Sequence, residues 1–229
     1  IEEAKYLNQK LKNNLLIVRI TRPTTVEIMD FIKSELKYFP TINLIIDYSN
    51  KGFAKIIKED SRKNNIGMIM LTSEMFKNKE NTKSVMELKI PVFKFGKEKL
   101  KSIKRTVIVL NDTNSYEQIS PIVFDISSQL KVKTKIFDLD PIGEKDGKST
   151  LLDHFENLAK IFNEKLEVVT SGENPIRELK KQRNMLQILP LKEDMFNKRI
   201  SFKFLYTNSD FIAFDMNKYN QLLIPIVEE

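Results

Sequence analysis

Thr106-Val107-Ile108-Val109-Leu110 is a run of five β-branched or apolar residues with no polar alternation, and Asn111-Asp112 closes it. A strand of this kind has both faces buried, the condition of a parallel sheet covered by helices on each side. The residues after it continue the alternation. A helix is predicted over 115–130, with Ile119, Ile122, Val123 and Ile126 at helical spacing. Strands are predicted at Val132–Leu139, Leu166–Thr170, Met185–Leu189 and Leu222–Val227. Helices at Leu151–Phe162, Pro175–Arg183 and Ser209–Tyr219 lie between them. Strands alternating with helices imply βαβ units.

The same rhythm occupies the first hundred residues. Strands are expected at Leu15–Ile20, Ile42–Tyr48, Ile66–Leu71 and Val92–Phe95. The helices are Glu2–Leu11, one capped by Thr24 or Thr25, and one from Phe53 to about Asn64. A polar loop, Lys77–Lys83, is expected to lead into a short helix at Ser84–Leu88, and basic Gly96–Lys104 reads as a linker. Matched in order, the halves form a tandem α/β repeat over 1–98 and 104–229. The first unit lacks only a counterpart of Thr106–Leu110. The chain opens with Ile inside a helical pattern, so residues ahead of it are expected.

Composition bounds the function. The 229 residues contain no cysteine, one histidine and six glycines, with 41% hydrophobic and 30% charged residues. No run approaches the roughly 20 apolar residues of a membrane span, and a cysteine-free chain fits a cytoplasmic setting. Residues 1–104 hold 21 Lys+Arg against 12 Asp+Glu, while 105–229 hold 17 against 19. The lysines are dispersed without interleaved aromatics, so nucleic acid is not the expected partner.

The order of elements, with three phrases, resembles the universal stress protein family in its tandem form. Thr106–Asp112 is similar to the family's opening strand and its closing Asp. Asn81–Met86 with Ile90-Pro91-Val92-Phe93 resembles the last helix and last strand, and Leu223-Ile224-Pro225-Ile226-Val227 resembles that ending again. The resemblance implies two Rossmann-like (adenine nucleotide alpha hydrolase-like) domains. Each has a five-stranded parallel sheet in the order 3-2-1-4-5 with helices on both faces. It further implies a bacterial, stress-associated regulatory or binding protein rather than an enzyme. The two repeats would pair through Val92–Phe95 and Leu222–Val227 as an internal pseudo-dimer. A homo-oligomer and a protein partner are further expectations. A cytosolic regulatory domain of a membrane transporter is the alternative, and an enzyme of nucleotide chemistry is a third reading.

Nucleotide-binding members of the family carry a glycine-rich loop after the fourth strand, where bare backbone N–H groups approach phosphate. Here the corresponding loops, Thr72–Glu80 and Pro190–Asn208, hold no glycine. Glu74, Glu80, Glu193 and Asp194 would repel phosphate, and Met75, Phe76 and Phe196 are bulky. No cofactor is therefore expected. The candidate ligand residues are Asp112, Thr113 and Ser115 after the opening strand of the second unit, and Thr72 and Ser73 in the first. Asp112 is equally suited to cap the helix beyond it.

Three other features carry less. Gly143–Thr150 looks like a phosphate-binding loop, but three residues separate its glycines where four are required. Thr150 and Asp153 read instead as a helix cap. His154 has no second histidine or cysteine to complete a metal site, so none is expected. Asp138 and Asp140 lie at a strand end, where ligands and turns both use aspartate.

Overall fold

The computed structural model describes residues 1–11, 16–20, 24–37, 42–46, 52–110, 116–138, 157, 160–161, 166–170, 175–193, 195 and 208–226. Strands and helices alternate along the chain. The order begins α1 (Glu2–Lys10), β1 (Leu16–Ile20), α2 (Val26–Leu36), β2 (Ile42–Ile46), α3 (Phe53–Lys63) and β3 (Ile69–Thr72). Two helices, α4 (Ser73–Lys77) and α5 (Lys79–Leu88), precede β4 (Val92–Phe95). Next come a 3-10 turn at Leu100–Ser102, β5 (Arg105–Leu110), α6 (Tyr116–Leu130), β6 (Lys133–Asp138) and β7 (Leu166–Thr170). The chain continues through α7 (Pro175–Lys181), β8 (Met185–Leu191), α8 (Asn208–Asp215) and β9 (Asn220–Pro225). Most of the expected helix 151–162 lies outside the described residues.

Seven strands form one sheet in the order β3-β4-β9-β8-β5-β6-β7, and β1-β2 form a separate parallel pair. Every neighbouring pair of the large sheet is parallel except β4 and β9, which run antiparallel with Phe93 opposite Leu222. The sheet separates two apolar layers. One contains Val107, Val109, Leu71, Val92 and Leu223 with Leu179 of α7 and Phe214 of α8. The other contains Ile108, Phe93, Leu222 and Leu186 with Leu7 of α1 and Ile119 and Val123 of α6. Adjacent residues of β5 thus enter opposite layers, as the two-residue period of a strand requires. All seven residues of β8 are buried, which explains their lack of polar alternation.

The segment expected as a linker is bonded closely to the start of β9. Lys97 and Glu98 both donate their backbone N–H to the Lys218 carbonyl, at 2.9 and 3.1 Å. Gly96 donates to Asn220 Oδ1 at 2.9 Å, and Asn220 Nδ2 donates to the Glu98 carbonyl at 2.8 Å. A Cβ on Gly96 would overlap the Tyr219 carbonyl group. Glycine therefore lets the two backbones approach here. Leu100 is buried, and its N–H donates to Glu3 Oε2 of α1 at 2.7 Å.

One local expectation is corrected. Residues 77–83, read as a polar loop, belong mostly to helices, because two side chains terminate and restart the helix. Thr72 Oγ1 accepts from Met75 N at 3.2 Å at the start of α4. Asn78 Oδ1 accepts from Glu80 N and Asn81 N, at 3.0 and 3.1 Å, at the start of α5. Caps of this kind satisfy donors that have no partner within the helix.

Candidate functional site

The carboxyl ends of parallel strands are where open α/β sheets bind ligands. At that end of β3 stands Thr72, with Ser73 and the paired helices α4 and α5 beyond it. Thr72 is exposed, and its hydroxyl oxygen is engaged as the α4 cap. Ser73 Oγ donates to the Phe95 carbonyl at 2.6 Å, holding the turn against the end of β4. Both hydroxyls have structural partners.

The remainder of this segment closes on itself. Phe76 is fully buried and stacks on Phe214 of α8, with ring centroids 5.9 Å apart and planes 14° from parallel. Thr82 Oγ1 donates to the Phe76 carbonyl, and Asn81 Nδ2 donates to the Met75 carbonyl at 3.0 Å. Met75 N, Glu80 N and Asn81 N are among the backbone donors at these two helix starts that an anion could meet. Side chains of the same segment already accept from all three. Glu74 and Glu80 add negative charge beside them. The segment stops one helix, starts another and seats an aromatic ring against α8.

Lys94 lies next to this plug. It is fully buried in β4, donates Nζ to the Ala213 carbonyl at 2.6 Å, and places Nζ 5.5 Å from the centre of the Phe76 ring. Gln221, opposite Lys94 across the antiparallel pair, donates to the Ile212 carbonyl and to Gln187 Oε1, each at 2.7 Å. Two polar side chains from β4 and β9 thereby hold the last turn of α8. A buried ammonium is tolerated where carbonyl and ring partners replace water. Nothing in the spacing of Val92-Phe93-Lys94-Phe95 singles out Lys94, because its setting arises only when β9 and α8 arrive.

The other sequence candidates fall in several places. Asp112, Thr113, Ser115, Asp140, His154 and the stretch 143–150 lie outside the described residues. Asp138 ends β6 in register with Thr170. In the second glycine-free loop, Leu191 and Met195 are buried, while Asp194 and Phe196 lie outside the described residues. Among the described residues, no group of three His, Cys, Asp or Glu side chains is arranged to hold a metal ion. Two surface depressions, of about 590 and 330 Å³, lie by Asn64–Ile66 before β3 and by Met216–Tyr219 before β9. Both are at strand amino ends, away from the expected ligand position.

No protein-family model and no curated protein sequence match the chain. Solved structures do. A universal stress protein from Archaeoglobus fulgidus superposes with a TM-score of 0.56 at 12% identity, covering 96% of this chain and 91% of its own. Two Pseudomonas aeruginosa proteins are similar at 11% identity, each covering 92% of this chain and 81% of its own. One is described as functionally unknown, with a TM-score of 0.59. The other, from strain UCBPP-PA14, is provisionally named a universal stress protein, with a TM-score of 0.60. The fold is that of the universal stress proteins. No helix among the described residues is long and apolar enough to cross a membrane.

Proposed function

We propose that the chain is a non-enzymatic, stress-associated regulatory or binding protein built as two tandem universal-stress-protein-like repeats, of the kind that does not bind ATP. The self-capped Thr72–Thr82 segment carries this reading. It spends three of its helix-start N–H groups, those of Met75, Glu80 and Asn81, on Thr72 and Asn78 and fills its interior with Phe76. A triphosphate would have to displace two caps, each contributing about 1 kcal/mol, and would meet Glu74 and Glu80.

The tandem form is supported by strand order. In the later residues, β7-β6-β5-β8-β9 is the arrangement 3-2-1-4-5. In the earlier ones, β2-β1 and β3-β4 match strands 3-2 and 4-5, with β4 joined to β9. We assign any small ligand to the carboxyl end of β5, where Asp112, Thr113 and Ser115 come next in sequence, beside the point where strand order reverses.

Titration calorimetry with Mg-ATP tests the first part, with no heat of binding expected below millimolar nucleotide. A nucleotide carried through purification would refute it. Asp112→Asn tests the second. It retains helix capping but loses charge, so it should keep the melting temperature and change the response in a small-molecule screen. An unchanged response would leave Asp112 as a cap alone.

A further inference from the structure

Lysine and arginine are dispersed along the sequence, but the fold gathers a group of them at one end of the large sheet. Because β4 runs antiparallel to β9, its carboxyl end lies with the amino ends of β9, β8, β5 and β6. The return from β4 to β5 therefore crosses that end. Lys97 N donates to the Lys218 carbonyl just before β9 at 2.9 Å, and Lys104 N donates to the Asn184 carbonyl just before β8 at 2.8 Å. Arg105 of β5 is in register with Lys133 of β6. Tyr219 Oη lies 3.0 and 3.2 Å from the Lys180 and Gln182 carbonyls, which brings the end of α7 to the same place.

Four segments, 97–105, 131–133, 180–184 and 216–218, make up this pole. They carry eleven Lys or Arg and one acidic residue, Glu98, with Glu178 and Asp215 at their borders. From totals of 38 and 31, the rest of the chain keeps 27 Lys+Arg against 30 Asp+Glu. The positive excess of the chain is therefore local to this pole. All eleven cations except Arg105 are exposed. Lys181 pairs with Glu178 and Lys218 with Glu98, while the other exposed cations form no ion pair among the described residues. Helix dipoles favour Lys131, Lys180 and Lys181 at the ends of α6 and α7. They do not account for Lys97, Lys99 and Lys104, which belong to no helix. The four strands beneath are adjacent, so the pole is roughly 15 Å wide at about 4.8 Å per strand.

We propose that this pole is a contact surface for an anionic lipid bilayer, held at the headgroup level by charge and without insertion. Nine of the eleven cations are lysines, compact charges on flexible stems that suit a field of headgroup phosphates and carboxylates. Selecting a single carboxylate or phosphate is the work of the arginine fork, and Arg105 already donates to Gln182 Oε1 at 3.2 Å. None of the exposed large apolar side chains lies in these segments, and Tyr219 is buried. A protein partner would need an apolar interface core, and a single-stranded nucleic acid would need rings to stack on. A polybasic face needs neither to hold an anionic bilayer. The inference rests on the placement of charge and stands apart from both nucleotide binding and the tandem reading.

Co-sedimentation of the full chain with lipid vesicles tests it. One set is phosphatidylcholine alone, and the other adds phosphatidylserine at about one part in four. The chain should pellet with the anionic vesicles at roughly 0.1 M salt and be released at roughly 1 M, where the Debye length falls to about 3 Å. With neutral vesicles it should stay in solution. Lys99→Glu combined with Lys133→Glu should weaken binding to the anionic vesicles by about tenfold or more. Lys55→Glu combined with Lys63→Glu makes the same charge change at exposed positions of α3. That pair should hold the affinity within about twofold, because charges beyond a Debye length are screened. The lipid and salt comparisons on the parent chain decide the matter even if a variant folds poorly. No pelleting with anionic vesicles, equal pelleting with neutral ones, or equal losses in the two charge variants would each overturn the inference. Preference for a poly-uridylate strand over the vesicles, at equal phosphate concentration, would overturn it in favour of nucleic acid.

Discussion

β1 and β8 are both short, apolar strands with helices on either side, yet they are buried very differently. Of β1, only Leu16 is buried, and the remaining four residues are half-exposed. Of β8, every residue is buried, Gln187 and Pro190 included. The compositions are similar, so hydrophobicity alone does not set the difference. Among the described residues, β8 has strands on both sides and β1 has one. In a parallel sheet a strand paired on both sides lies in the interior, and one paired on a single side lies at an edge. Val26, Ile28 and Phe31 of α2, the helix that connects β1 to β2, are 72, 50 and 55% exposed.

Matched truncation puts this difference to its hardest test. Ile108→Ala in β5 removes a fully buried side chain and should cost about 2–5 kcal/mol. Ile17→Ala, in half-exposed β1, should cost about 1 kcal/mol or less, since little apolar area is lost. Urea denaturation of the two variants measures both, and equal losses would mean that flanking strands do not set the difference.

The seam between β4 and β9 comes next. Gly96→Ala places a methyl group into the Tyr219 backbone. Relieving that overlap should cost about 1–3 kcal/mol. Its melting curve should shift more than that of Gly67→Ala, where a Cβ would meet nothing within 4 Å. Of intermediate size are the caps. Asn78→Ala should lose about 1 kcal/mol and Asn78→Gly only a few tenths. A loss of helical circular dichroism confined to the former variant would place the effect at the start of α5.

The smallest expected effect is electrostatic. Lys58 of α3 donates to Glu87 of α5 at 2.6 Å on the exposed surface. That hydrogen bond, more than the charge of Lys58 itself, lowers the Glu87 carboxyl pKa below its ordinary 4.5. A lowered carboxylate pKa stabilises the fold above the unfolded value, and that contribution is lost as pH falls through the folded one. Glu87→Gln should therefore melt slightly below the parent at pH 7 and together with it near pH 3. High salt should shrink the gap at pH 7.

Much of the fold was legible in the sequence because its signals are local. Thr106–Leu110 announced a strand buried on both faces, and spacing such as Ile119-Val123-Ile126 announced the helix against it. The residues of the candidate site were harder to read. Thr72 and Ser73 are polar residues at a strand end, a pattern shared by ligand contacts and helix caps. Only their partners, Met75 N and the Phe95 carbonyl, give them structural roles. The stretch 77–83 looked like a loop because Lys, Asn and Glu dominate it. Asn78 and Thr82 make it helical by bonding to backbone groups.

Three properties were written into the order of residues: the alternation of strands and helices, the two-sided burial of the strands and the absence of a glycine cradle. They depend on side-chain period and residue type, which belong to consecutive positions. Two others came only with folding. β4 and β9 meet antiparallel, and Lys94 and Gln221 hold α8 from the seam. Each depends on which segments distant in sequence become neighbours, and hydrogen-bonding backbone edges do not by themselves specify their partner.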